Sequence, residues 1–221
     1  MTKTTVLTFA DEKYEMARQW SIQNMAETIK SFANYSPNSL DDDFKRKNEE
    51  IISQPRGAGY WLWKPYVILD YLTNHCQDDE MLVYCDAGDF IAPETFDKAK
   101  EFLEAHDFML IKSGHIAYKW TKRDCFVLMG CDSEEYWNTG QVYGGINFWK
   151  KTENSIEFLT EWLNYCKNKY ILTDTPNVCG KPDFPGFTDH RHDMSILTNL
   201  VVKNKIETKP ELHYHPWTVQ P

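Results

Sequence analysis

The sequence is short of positive charge. Its 24 Lys and Arg face 33 Asp and Glu, a formal net charge of −9. A nucleic-acid binder needs a basic face to displace counterions from phosphates, so nucleic acid is set aside as a partner. An anionic substrate is not excluded, because a metal ion or a few local bases override a net charge. No run approaches the roughly 18 apolar residues of a transmembrane helix. The first residues, MTKTTVLTFADEKYE, lack the apolar stretch of a signal peptide. None of the cysteines (76, 85, 125, 131, 166 and 179) stand at CxxC spacing, so neither a zinc ribbon nor a disulfide framework is expected. A cytoplasmic, reducing setting follows as the simplest expectation. There is no internal repeat, low-complexity tract or linker, and one domain over 1–221 is expected.

What the chain does have is aromatic side chains, 14% of its residues, which suit either a thick core or a ring-binding cleft. A β-rich run at 4–10 precedes a segment, 11–32, where Met16, Trp20, Met25, Ile29 and Phe32 recur at helical spacing. Residues 34–57 read as a polar loop with a short helix near 41–53, capped by Asp41. Pro65 suits the first turn of a helix, which places Lys64 at that helix's N-terminus. Strands are expected at 80–91, 108–113 and 140–150, the last interrupted at Gly144-Gly145. Helices are expected at 93–105, 121–131, 154–170 and 190–204. Strands alternating with helices predict an α/β fold, a mainly parallel mixed sheet covered on both faces. Ligands of such sheets lie beyond the carboxyl ends of the strands.

Chemistry-bearing residues gather at those ends. In YCDAGD, Asp86 directly follows an apolar strand and Asp89 comes three residues later, across a glycine suited to a tight turn. Two such carboxylates can hold Mg²⁺ or Mn²⁺ against phosphate oxygens, or they can be solvated turn residues. In HRHDMSIL, His190, Arg191, His192 and Asp193 crowd a helix start. Asp193 there is favoured by the helix dipole, whereas the basic residues oppose it, at a cost of up to about 1 kcal/mol. In LHYHPW, His213 and His215 can complete a metal site begun by a distant aspartate, or sit on a strand surface. Lys64 at a helix N-terminus forms an anion site fit for a diphosphate. Of Trp61 and Trp63, one can face the core and one the cleft. In GQVYGG the glycine pair admits a sugar ring close to the backbone, or marks a β-bulge.

Taken together, LTFAD, GYWLWKP, YCDAGD, GQVYGG, HRHDMSIL and a late histidine resemble the nucleotide-diphospho-sugar transferases of the GT-A fold. The closer similarity is to small glycosyltransferases that build bacterial and viral surface glycans. The likeness covers about residues 4 to 217. It implies a Rossmann-like GT-A domain, a sugar-nucleotide donor, a glycan acceptor and Mn²⁺ or Mg²⁺. It implies metal ligation by Asp86 with Asp89, His213 or His215, and donor contacts from Thr8, Phe9, Ala10, Trp63, Lys64, Gly145, His190 and Arg191. It gives Asp193, with Asp89, the role nearest the acceptor hydroxyl. Two positions depart from the pattern. Gly88 stands where the second aspartate of Asp-x-Asp is usual, and Met194 where glutamine recurs. A non-catalytic sugar- or nucleotide-binding module on the same fold is the main alternative. A metal-dependent phosphoester hydrolase using Asp86, His190, His192 and Asp193 is another.

Overall fold

The computed structural model describes residues 3–209 and, for 214–216, the backbone alone. Its strands are β1 (Lys3–Phe9), β2 (Ser31–Tyr35), β3 (Glu80–Cys85), β4 (Asp89–Ile91), β5 (Phe108–Ile116), β6 (Gly140–Lys150), β7 (Thr208–Lys209) and β8 (Tyr214–Pro216). Six of them form one sheet in the order β2-β1-β3-β6-β5-β7, while β4 and β8 form a separate antiparallel ribbon. β1 runs parallel to both β2 and β3, β6 is antiparallel to β3 and β5, and β7 is parallel to β5. The expected mixed, mainly parallel sheet flanked by helices is the observed architecture. Among the described residues no helix is long and apolar enough to cross a membrane.

Alternation along the strands explains the two faces. Leu7 and Phe9 of β1, Leu82 and Tyr84 of β3 and Trp149 of β6 join one core. Facing them are the helices Trp63–Asn74, Glu153–Cys166 and His192–Lys203, through residues such as Ile68, Trp162 and Leu197. Val6, Met81, Val83, Cys85 and Phe148 point the other way. They meet Phe96, Ala99 and Leu103 of the helix Pro93–Ala105. Both sheet faces are therefore covered by helices.

Several elements differ from their sequence patterns. The strand expected at 80–91 is two, β3 and β4, in separate sheets, and the helix expected at 154–170 is Glu153–Cys166 followed by Lys169–Leu172. The first helix, Glu15–Met25, stops well before Phe32. Residues 31–35 instead form β2, in parallel register with β1 from Thr5 opposite Ser31 to Phe9 opposite Tyr35. Met16 is 76% exposed, and the buried face of the helix is Ala17, Ser21 and Met25. The apolar spacing over 11–32 joined residues from two elements. Elsewhere local signals held. Asp41 accepts the amides of Asp43 and Phe44 at the start of Asp42–Lys47. Gly144-Gly145 lie in a β6 bulge, where the β5 register jumps from Asn147 to Tyr143.

The segment Gly57–Trp61 is a left-handed turn. Gly57, Ala58, Gly59, Tyr60 and Trp61 all have positive φ, between 49° and 96°. Left-handed backbone costs an L-residue roughly 1–2 kcal/mol, so Ala58, Tyr60 and Trp61 are held there by their surroundings. The two glycines are required for space as well. A Cβ on Gly57 would lie 2.4 Å from the Trp61 ring, and one on Gly59 2.7 Å from the Ile52 backbone. Gly59→Ala is therefore expected to lower unfolding stability by about 1–3 kcal/mol, read from the denaturant midpoint. Unchanged stability would show that the turn is not fixed as described.

Candidate active site

A cleft of about 400 Å³ opens at the carboxyl ends of β1 and β3. Phe9 and Ala10 form one wall, the left-handed turn another through Gly57, Ala58 and Trp61, and Asp86 with Ala87 lies at the end of β3. Phe9 and Trp63 stack with ring centroids 3.7 Å apart, and Trp63 Nε1–H donates to the Gly57 carbonyl at 3.0 Å. The wall is thus tied to the core by one aromatic pair and one hydrogen bond. Thr8 is buried but is not part of the lining.

Below the cleft sits a group of charges. Lys64, 2% exposed, places Nζ 3.1 Å from Asp86 Oδ1 and 3.4 Å from Asp193 Oδ2. The contact to Asp193 is an ion pair without hydrogen-bond alignment, since Oδ2 lacks a bonded donor. Burial opposes the charge on Lys64, but the carboxylates of Asp193 and Asp86 outweigh it and hold its pKa above the usual lysine value. Tyr84, whose own pKa burial keeps high, donates to Asp86 Oδ1. Asp193 is pushed up to about 6, first by burial; Lys64 pulls the other way and Asp86 adds repulsion. Asp89 is pushed up to about 7 by burial and then by Asp86, although Tyr143 donates to its Oδ2. Of the three carboxylates only Asp86, a third exposed at its side chain, faces the cleft.

The other site residues expected from sequence divide. Gly145 does not line the cleft; its carbonyl accepts the Asp86 amide at 2.8 Å and so positions that residue. His190 is buried, with Nδ1 accepting the Lys122 amide at 3.3 Å and Nε2 bonded to the Ile171 carbonyl at 2.9 Å. This fixes one neutral tautomer, and burial lowers its pKa well below the usual histidine value. Arg191 lies over the Trp120 ring at 4.3 Å. Neither His190 nor Arg191 reaches the cleft. His213 lies outside the described residues, and of His215 only the backbone is described, paired with Phe90 beside Asp89. Among the described residues no three His, Cys, Asp or Glu side chains converge as a metal site. The four residues of a phosphoester hydrolase therefore do not meet.

Residues given no role by the motifs complete the cleft. Arg56, just before the glycines, lines it and pairs with Asp174 at 2.8 Å and Asp189 at 2.7 Å. Asp11, Lys13 and Tyr14 follow the end of β1. Only the adjacency of Arg56 to GAGYW hinted at its position.

A divalent ion fits this set through one residue. Asp86 offers an accessible carboxylate, which suffices where a substrate's phosphate oxygens and water fill the other positions. Asp89, buried and bonded by Tyr143, is not presented as a ligand.

No family model and no curated protein matches the chain. Solved structures resemble it in fold. One is a glycosyltransferase involved in the glycosylation of the major capsid of PBCV-1, at 11% identity and TM-score 0.43 over 85% of this chain and 81% of that one. Another is mouse xyloside xylosyltransferase 1 in its apo form, at 12% and 0.48 over 94% and 72%. A third is a 4-diphosphocytidyl-2C-methyl-D-erythritol synthase from Anaerococcus prevotii DSM 20548, at 12% and 0.41 over 95% and 88%. Likenesses at this level describe the outline of the fold, and the chemistry has to come from the cleft itself.

Two predictions follow from the charges. Lys64→Ala leaves two carboxylates facing each other and is expected to cost about 3–5 kcal/mol of stability, measured by chemical denaturation. A loss of that size would show that Lys64 serves the fold as well as the anion site expected from sequence. The second concerns pH. A carboxyl whose folded pKa is raised holds its proton longer when folded. Its contribution favours the fold at low pH and is lost as pH rises through the folded value, here from about 4 to about 7. Replacing Asp89 by Asn removes that loss. The melting temperature of Asp89→Asn relative to wild type should climb steadily from pH 5 to pH 8 and level off above it. A difference independent of pH would mean that Asp89 titrates normally.

Proposed function

We propose that this chain transfers a sugar from a nucleotide-diphosphate sugar to a glycan acceptor, with Mn²⁺ or Mg²⁺ held by Asp86 against the donor diphosphate. The observation that carries the reading is Asp86 itself. It is a partly exposed carboxylate at the end of a buried strand, facing an aromatic-walled cleft of ligand size, with surplus negative charge around it. Such a surplus suits a divalent cation, and a cation there would draw in a diphosphate that the acidic chain otherwise repels.

In this reading the bond from the sugar's anomeric carbon to phosphate breaks, and a bond to the acceptor oxygen forms. When bound, the metal ion would supply electrostatic stabilisation of the leaving diphosphate. Lys64 is too buried to be the diphosphate clamp. Its part is to hold Asp86 in place, bonded as that carboxylate also is by Tyr84. Phe9, Ala10 and the turn Gly57–Trp61 provide the surface against which the nucleotide lies. The acceptor's proton is assigned to Asp193, whose pKa of about 6 suits a base near neutrality; because Asp193 is buried, the assignment requires that acceptor binding uncover its Oδ2. Gly144 packs against it: a Cβ at that position would lie 2.8 Å from Met194 Cγ and 3.0 Å from Asp193 Oδ2. Asp89 is the alternative base.

Thermal unfolding tests the donor assignment. Wild type should melt at a higher temperature with a nucleoside diphosphate and Mn²⁺ than with either alone, and Asp86→Ala should lose the increment. Absence of a shift with every common nucleoside diphosphate would sink the reading. Release of free nucleoside diphosphate from a panel of sugar nucleotides separates transfer from simple binding by a non-catalytic module.

A further inference from the structure

The sheet edge carries, at β5, a group of side chains that the reaction above does not use. The cleft lies at the ends of β1 and β3, and Asp193 lies against Gly144 of β6. The next strand in the sheet is β5, which ends at Ile116 opposite Gly140. A short helix, Ala117–Trp120, follows it directly. Its last residue is anchored by three donors. The Trp120 carbonyl accepts the Arg191 amide at 3.0 Å, the Ser195 hydroxyl at 2.8 Å and the Gln141 side-chain amide at 3.2 Å. Ser195 and Gln141 are both buried. Gln141 keeps Nε2 on that carbonyl although its own Oε1 has no partner. A buried network thus ties Trp120 to β6 and to the first turn of the helix that carries Asp193.

The indole held in this way carries a cation. The Arg191 guanidinium carbon lies 4.3 Å from the ring centroid, well inside cation–π range. Arg191 is exposed. Arg18, Arg46, Arg56 and Arg123 each pair with an Asp or Glu carboxylate. Arg191 pairs with none among the described residues, and the ring is its partner. An aromatic ring offers no oxygen lone pair, so the N–H fork of Arg191 lacks a protein acceptor. Its surroundings add charge of the same sign. The exposed His115 ring is 5.1 Å from the same indole, and exposed Lys119 adjoins Trp120 in sequence. In a chain of net charge −9 this is a local excess of cation. A guanidinium kept clear of internal carboxylates is available to an external oxyanion, whose paired oxygens match its fork.

We propose that the glycan acceptor is an acidic sugar, its carboxylate or phosphate held by the Arg191 guanidinium with His115 and Lys119 beside it. Recognition of an oxyanion stands on these contacts; that its bearer is the acceptor rests on the transfer reading above. The order of strands agrees with that role. With the donor cleft at β1 and β3, Asp193 at β6 and the oxyanion site at β5, the assigned base lies between the two substrates. The carboxylate of a uronic acid and a phosphate on a sugar offer the same paired oxygens, and the experiment tells them apart.

The experiment uses full-length protein with ¹⁵N-labelled tryptophan and follows the Trp120 indole N–H, assigned through Trp120→Phe. The ligands are a panel of oligosaccharides in matched sets that carry a hexose, the corresponding hexuronic acid, or the hexose 6-phosphate. Acetate and inorganic phosphate are the simple-anion controls. Acidic sugars should move the Trp120 resonance and bind about tenfold or more tightly than their neutral counterparts. A response to uronates alone assigns the carboxylate, and one to 6-phosphates alone the phosphate. Arg191→Gln should abolish the preference at an unchanged melting temperature, because the side chain is exposed. Equal binding of acidic and neutral sugars, an undiminished preference in Arg191→Gln, a response to acetate or inorganic phosphate as strong as to acidic sugars, or no binding by any sugar of the panel would each overturn this inference. The transfer reading would still stand if the same protein binds nucleoside diphosphate with Mn²⁺. A preference for acidic sugars in a protein that binds no nucleotide would do the reverse, removing the transfer reading and leaving an acidic-saccharide site.

Discussion

One ammonium group is shared by two carboxylates from distant parts of the chain, and much of the site is arranged around it. Lys64 enters from the first turn of the helix Trp63–Asn74, Asp86 from the end of β3, and Asp193 from the first turn of the helix His192–Lys203. Asp193 is favoured where it stands by its own helix dipole, and Lys64 is opposed by its dipole. The opposition is overcome only because both aspartates lie within 3.4 Å of Nζ. Breaking such a buried set strands charge in the interior. The cluster therefore locks the end of the central strand to helices that precede and follow it in sequence. The cleft keeps its shape because one cation ties its floor together.

The left-handed turn is the second constraint, and it depends on the first. Trp63 and Lys64 follow it directly, and Trp63 returns a hydrogen bond to Gly57. With Trp63 stacked on Phe9 and Lys64 buried beneath Asp86, the chain has a few residues in which to come from the surface and start a helix at depth. Positive φ at five successive residues is how it reverses in that space. The strain is offset by packing, with Trp61 and Tyr60 against His192, itself left-handed. Two strained segments that brace one another form a rigid wall, which is what a site for an orientated ligand requires.

Local rules reach the sequence unevenly. The helix start at Pro65, the cap at Asp41, the bulge at Gly144-Gly145 and the placing of Asp86 at a strand end all depend on a few neighbouring residues, and each was legible. β2 was not, because Phe32 and Ile29 fall on a helical stripe until β1 is present to pair with residues 31–35. The burial of Lys64 was equally hidden. A lysine beside a helix start looks like an exposed anion site unless the partners 22 and 129 residues on are known to converge on it. The motif HRHD set Asp193, favoured by the helix dipole, apart from three basic residues that oppose it. In the fold they diverge: Asp193 meets Lys64, His192 supports the turn, His190 bonds two backbone groups, and Arg191 lies over Trp120.

The inserted glycine in the acidic turn has a consequence of the same kind. In an extended Asp-x-Asp segment, residues two apart project to the same side. Here Asp89 is three residues from Asp86, its amide bonds the Asp86 carbonyl at 3.0 Å, and Gly88 takes a φ of 102°. That is a tight turn of the kind that needs positive φ at its third position. It aims Asp86 at the cleft and Asp89 inward at Tyr143. One carboxylate is left a third exposed at the cleft, while the other is buried with a pKa of about 7. A site built this way would depend on substrate phosphate to complete the coordination of a divalent ion, so metal and nucleotide should bind as a unit rather than in succession.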